Sequence, residues 1–237
     1  VLVDRDDPSF GAPAKPIGSF MTRELAFEHR DQDGWDVVED AGRGWRRVVA
    51  SPRPRRIIEL PAIRTLLAAD MMVVAVGGGG IPVVEDEAGL LRGVAAVIDK
   101  DHATSLLARE LGADVLVIST AVEKVCLNYR RPDQRCLDTM TLADCKRYLA
   151  EGHFAPGSMK PKVEAVVAFL EAGGREALIT DPPHLVQAGG GWSSPCSRRC
   201  WSDGWRSRSG AGGAGSTPSA ASPRAGRRGC WPRPRRG

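Results

Sequence analysis

Met71-Met-Val-Val-Ala-Val76 runs without a break into Gly77-Gly-Gly-Gly80-Ile81-Pro82. Six apolar residues with no polar alternation predict a strand buried on both faces, as in parallel sheets. Upstream, Leu60, Ile63, Leu66 and Leu67 are spaced for one face of a helix. The local order is therefore helix, buried strand, glycine loop.

The unit recurs downstream. Residues 94–98 predict a short strand, Ala103, Leu106, Leu107 and Leu111 a helix, and Asp114-Val-Leu-Val-Ile118 another buried strand. A helix over 141–150 follows, then one with Val163, Val166, Val167 and Leu170 on one face. The latter is closed by Gly173-Gly174 and leads to the strand Ala177-Leu-Ile-Thr180. This alternation predicts an α/β fold, a three-layer αβα sandwich about a mainly parallel sheet. Residues 4–56, rich in Gly, Pro and charge with extended stretches at 35–39 and 45–49, predict a small β-rich protruding subdomain. The division is 1–56 for that subdomain, 57–188 for the α/β body and 189–237 for a tail.

The tail obeys a different grammar. It holds ten arginines against one acid, Asp203, and lacks Leu, Ile, Val, Met, Phe, Tyr, Lys and Glu. Such a segment buries too little apolar area to offset its ordering entropy, which predicts disorder. Its residues are those of GC-rich codons, so it reads as out-of-frame translation. The net charge of +4 hides this asymmetry: without the tail the body is mildly acidic, which argues against a nucleic-acid footprint there. RNA binding by the arginine- and tryptophan-bearing tail is the alternative. No apolar run reaches the roughly 18 residues of a membrane span, and the start carries no targeting pattern. Cys126, Cys136 and Cys145 in the body read as reduced thiols of a cytoplasmic protein. Cys196-Ser-Arg-Arg-Cys200 has no second ligand pair for zinc, and no metal ligands are assigned.

Four loops carry candidate chemistry. Gly77, Gly78, Gly79 and Gly80 let backbone amides approach a phosphate, although a plain tight turn accounts for them equally well. They form neither a Walker A loop nor a dinucleotide fingerprint, since Pro82 stands where the last glycine would fall. Asp99-Lys100-Asp101 precedes a helix expected to start near Ala103, with Asp101 as its N-cap or as part of a metal-nucleotide site. In Gly157-Ser-Met-Lys-Pro-Lys162, Pro161 suits the first turn of a helix, placing Lys160 and Lys162 at its positive end. Those lysines fit either a bound anion or a solvated surface. Ser119-Thr120-Ala-Val122 follows a strand and could flank a base or ribose. Arginines 46, 47, 53, 55 and 56 read mainly as a solvated face, and the histidines at 29, 102, 153 and 184 as no cluster.

In order, these segments resemble the carbamate kinases of the amino acid kinase superfamily. The resemblance rests on Asp7-Pro-Ser-Phe10, Lys15-Pro-Ile-Gly18, Gly44-Trp-Arg-Arg-Val-Val49, Ser51-Pro52, the glycine loop, Val97-Ile-Asp-Lys-Asp101 and Gly157-Ser-Met-Lys-Pro-Lys-Val-Glu164. It implies a cytoplasmic, homodimeric, magnesium-dependent enzyme moving a phosphoryl group between ATP and carbamate, with ADP and carbamoyl phosphate on the other side, in arginine breakdown by the arginine deiminase route. Residues 1–56 would be most of a lid over the acceptor, and 57–188 the nucleotide-binding half. Carried over, Lys15 is the lid lysine on the transferred group, Lys100 and Lys162 neutralise nucleotide phosphates, Asp101 orients those lysines, and Met159 lines the adenine pocket. Three departures stand out: Lys160 replaces a small residue, the tail replaces the closing segment, and the family's amino-terminal half is missing. The last predicts that this polypeptide alone is inactive and poorly stable. The alternatives are a nucleotide-binding pseudoenzyme and an acetylglutamate, aspartate or glutamate kinase.

Overall fold

The computed structural model describes residues 1–40 and 42–189. The chain opens with β1 (Leu2–Val3), turns at Pro8–Phe10, and enters an excursion of β2 (Lys15–Met21), α1 (Arg23–Asp33), β3 (Asp36–Glu39) and β4 (Trp45–Val49). β4 lies between β2 and β3, antiparallel to both. Helix α1 was not expected from the sequence. Thr22 caps it by accepting from Leu25 N, and Gly34 ends it at φ 68°, but Ala26 is its sole buried residue, so its apolar stripe is too thin to register as a period.

The chain then runs through β5 (Pro54–Arg56), α2 (Leu60–Ala68), β6 (Val83–Glu85), β7 (Leu91–Gly93), α3 (Lys100–Leu111) and β8 (Val115–Ser119). A hairpin of β9 (Val125–Leu127) and β10 (Arg135–Leu137) follows, then α4 (Leu142–Ala150), α5 (Met159–Glu171), β11 (Glu176–Thr180) and α6 (Pro182–Gly189). β8 and β11 pair in parallel from Val115↔Glu176 to Ser119↔Thr180. β1 sits between β5 and β6, with β7 at the far edge.

Three apolar clusters hold these elements. Val1, Val3, Ile57, Ile63, Val84, Ile98 and Leu106 form the first, which joins the start of the chain to α2 and α3. In the second, Leu116 and Ile118 of β8 meet Ala108 of α3 and Ala165, Val166 and Phe169 of α5. The third gathers Val125, Leu127, Cys145, Phe154 and Val163 beneath the hairpin. A buried Ser105 hydroxyl donates to Ala165 O at 2.7 Å and binds α3 to α5.

Four expectations need correction. Residues 71–76 form no strand: Val73, Ala75 and Val76 pack on the first cluster, while Met72 and Val74 are 96% and 95% exposed. The run is apolar on both sides, but among the described residues no neighbouring strand completes a ladder on it. Residues 94–98 are reduced to one parallel bridge, Ala50↔Ala96. Helix α3 starts at Lys100, capped by Asp99 rather than Asp101, because the Asp99 carboxylate accepts from Asp101 N at 2.9 Å. Cys126 and Cys136 are not free thiols but disulfide-bonded, being register partners across β9 and β10. The disorder expected of the tail concerns residues that, from 190 onward, lie outside the described ones.

Candidate phosphate-binding site

The amino ends of α3 and α5 meet through opposite charges. Asp101, in the first turn of α3, is 6% exposed, and its Oδ2 accepts from Lys162 Nζ at 2.9 Å. Lys162, 8% exposed, stands in the first turn of α5 just after Pro161. Lys100 Nζ lies 3.9 Å from the same Asp101 oxygen, with its side chain open to solvent. Lys15, at the start of β2, donates to Asp99 Oδ2 at 2.5 Å. One unit of alternating charge thus links the β-rich excursion to two helix N-termini. The sequence reading has Asp99 only as a carboxylate of the Asp99-Lys100-Asp101 loop, neither as the cap of α3 nor as a partner of Lys15. Its part as cap and as partner of Lys15 follows from the turn geometry and from a contact spanning 84 residues, which spacing does not encode.

Burial pushes the Asp99 carboxyl up, but the bond and charge of Lys15, with the Asp101 amide, outweigh it and hold the group below the usual aspartate range. Asp99 therefore stays ionised beside the lysines.

The glycine loop abuts this cluster. Gly79 is buried at φ 135°, and a Cβ there would collide with the backbone carbonyl of Ile98, the residue before Asp99. Gly80, at φ 84°, would strike the Val1 side chain, whereas Gly77 and Gly78 face open space. Close approach explains Gly79 and Gly80, leaving Gly77 and Gly78 as the pair open to a ligand. Thr120 closes the β8–β11 pair by donating its amide to Thr180 O at 2.8 Å. Met159 begins α5 and packs against the third cluster. The charged cluster thus gathers Lys15, Lys100, Asp101 and Lys162, with the glycine loop beside it, while Thr120 directly follows β8 and Met159 begins α5.

A second polar cluster adjoins α3 and α5. Arg53 Nη2 donates to Glu164 Oε2 at 2.6 Å, and its Nη1 lies 2.6 Å from His102 Nε2. Burial, then the Arg53 charge, push the His102 pKa down, so the ring faces the guanidinium as a neutral acceptor. Sequence spacing hides this triad, whose members are 49 and 111 residues apart. Among the described residues no group of three His, Cys, Asp or Glu is placed to hold a metal ion.

Against this geometry, the sequence pattern of the amino acid kinase family matches residues 16–181. The chain belongs to the amino acid kinase family. It is 53% identical over 189 residues to the carbamate kinase-like protein YahI of Escherichia coli, covering 79% of the chain and 60% of the relative. It is 52% identical over 179 residues to the carbamate kinase of Clostridium perfringens, covering 76% of the chain and 57% of the relative. Among solved structures it resembles a Giardia lamblia carbamate kinase bound to AMP-PNP, with a TM-score of 0.70, 44% identity, and coverage of 80% of the chain and 60% of that protein. The likeness gives this chain the α/β fold class expected from its sequence. The chain spans about 60% of the length of the curated relatives it matches.

Proposed function

We propose that this amino acid kinase binds ATP or ADP with magnesium and serves reversible phosphoryl transfer between ATP and carbamate, giving ADP and carbamoyl phosphate. The carrying observation is Lys162, a buried cation at the positive end of α5 with Asp101 beside it. A lysine there opposes the helix dipole and loses hydration, and a phosphate offsets both costs. Lys15, Lys100 and Lys162 outnumber Asp99 and Asp101, a surplus that suits a polyphosphate. The likeness to a carbamate kinase with a bound ATP analogue supports the same reading.

In this reading Asp101 orients Lys162 and Lys100 toward the nucleotide phosphates, and Lys15 leaves Asp99 for the transferred group. Gly77 and Gly78 offer amides, while Thr120 and Met159 flank the ribose and base. Carbamate is already an anionic nucleophile, so no general base is required, and catalysis rests on positioning and charge neutralisation. The donor set fits a magnesium ion carried on the phosphates rather than in a protein cage, with Asp99 and Asp101 as the carboxylates that would meet it. When bound, the metal would neutralise phosphate charge. A homodimer acting in the cytoplasm belongs to the same proposal, with residues 1–56 as the lid and 57–188 as the nucleotide half.

Calorimetric titration of the 237-residue chain with magnesium-ADP tests the reading. Each lysine–phosphate contact adds about 1.5–3 kcal/mol, so Lys162→Met lowers affinity roughly tenfold or more. The control Lys146→Met, altering an exposed lysine paired with Glu171, leaves affinity unchanged. Absent ADP binding, or equal losses in both variants, overturns the proposal. A coupled assay for ATP from ADP and carbamoyl phosphate reads the remainder: we expect binding without turnover from this chain alone, and ATP formation refutes that expectation.

A further inference from the structure

The hairpin β9–β10 carries chemistry that phosphoryl transfer does not use. Cys126 and Cys136 are register partners with Cα atoms 3.8 Å apart, yet their surroundings differ sharply. Cys126 is 8% exposed on a strand whose three residues are all buried, whereas Cys136 is open to solvent. Gln134 serves both the connecting turn and this sulfur: its Oε1 accepts from Arg130 N at 2.7 Å and its Nε2 donates to Cys136 Sγ at 3.6 Å. That donor also suits a thiolate. Cys145 is the contrast, with no exposure and a thiol that burial pushes up to about 11, which makes it inert.

We propose that Cys126 and Cys136 form a reversible dithiol–disulfide couple, open to low-molecular-weight disulfides and thiols, that sets how firmly the hairpin is held beside the nucleotide site. The exposed Cys136 thiolate attacks one sulfur of a small disulfide and expels a thiolate. Cys126, directly opposite, then attacks the Cys136 sulfur of the mixed disulfide and expels the second. Two protein thiols are oxidised, one small disulfide is reduced to two thiols, and the two protons leave with them. Exposure of Cys136 gives a small thiol access for the reverse steps.

The consequence follows from the hairpin's size. A two-stranded ribbon is marginal unless packed, and only β9 is fully buried here. Its turn holds two non-glycine residues at positive φ, Asn128 and Arg130, fastened by Asn128 Nδ2 donating to Asp133 and by the Gln134 contact. With the bond closed, β10 is pinned and Leu137 stays on the cluster that also receives Met159. With it open, β10 keeps its ladder, the turn contacts, the packing of Leu137 and the bond from Arg135 Nη2 to the Tyr148 hydroxyl at 3.3 Å, but no covalent tie, so the cluster beside Met159 is held less firmly. The coupling to nucleotide affinity rests on the function proposed above.

The full chain, equilibrated in glutathione buffers from reducing to oxidising, provides the test. Arg135 and Lys146 bound a tryptic peptide with both Cys136 and Cys145, so tandem mass spectrometry assigns the linkage. We expect a Cys126–Cys136 crosslink that dithiothreitol removes while the far-ultraviolet dichroism stays native. Amide exchange over residues 128–137 slows severalfold in the oxidised form, and Cys136→Ser abolishes both the link and the slowing. Free thiols at both positions at the oxidising limit, a link that resists dithiothreitol in the folded chain, or identical exchange in both states overturns the proposal. ADP affinity severalfold higher in the oxidised chain, and redox-independent in Cys136→Ser, supports the coupling, whereas equal affinity overturns it. ADP binding in neither state refutes the kinase reading and leaves the mapped couple standing.

Discussion

Gly79 shows how one residue type serves two purposes in one loop. The sequence offers four glycines in a row, equally suited to a phosphate cradle and to a tight turn. The structure separates them by what a side chain would meet: backbone at Gly79, a side chain at Gly80, and nothing at Gly77 and Gly78. Gly79→Ala should therefore destabilise the protein by about 2 kcal/mol or more, through a left-handed backbone and a collision with the Ile98 carbonyl. Gly78→Ala should change stability by less than about 1 kcal/mol. Urea unfolding of the two variants checks the difference, and equal destabilisation would contradict it. At this scale Lys100, Asp101 and Lys162 could be singled out because charged residues at a strand-to-helix junction or beside proline signal a helix entrance, whereas Lys15, which starts β2, came only from the family resemblance. The pairing of Asp99 with Lys15, and of His102 and Glu164 with Arg53, was not readable, because those partners come from distant parts of the chain.

Between elements, the Arg53 triad ties the turn before β5 to α3 and α5, and it brings a titration with it. His102 faces Arg53 and Glu164, with the charges of Asp99 and Asp101 also acting on the ring. Its folded-state pKa lies below the ordinary 6.5, so in between the unfolded chain takes up a proton that the fold resists. The sign is fixed: this contribution is intact above about pH 6.5 and lost as the pH falls toward the depressed value. One such proton sets a limiting slope of ~1.4 kcal/mol per pH unit. His102→Gln should flatten stability against pH between 6.5 and 5, and thermal melts across that range read it. A variant as acid-sensitive as the parent would exclude His102 as the source. The helical elements other than α1 and α6 were readable because their apolar faces repeat: α2 lies over the residues that Leu60, Ile63 and Leu67 predict. Strands fared worse, since ladder partners rather than composition make a strand. Residues 114–118 found theirs in β11, but residues 71–76 found none.

Across the whole molecule, the same missing partner leaves Met72 and Val74 almost fully in water, one turnless step from the glycine loop. Exposed apolar rows of this kind mark surfaces prone to association. Met72→Ser combined with Val74→Ser should leave the melting temperature within about 2 °C, because neither side chain packs inward, and should delay turbidity on heating. Light scattering of parent and double variant at matched concentration reads the effect, and unchanged turbidity would clear the row of blame. The α/β class was legible at this scale because it depends on the order of elements, which survives the loss of any one strand.

That bare row also alters how the protein's losses scale. Folding is first order in chain number, whereas sticking through Met72 and Val74 needs two chains to meet. Halving the concentration leaves each chain's refolding rate untouched but halves the rate at which it meets another. Yield is then governed by crowding of like with like, and dilution protects the chain where added time does not.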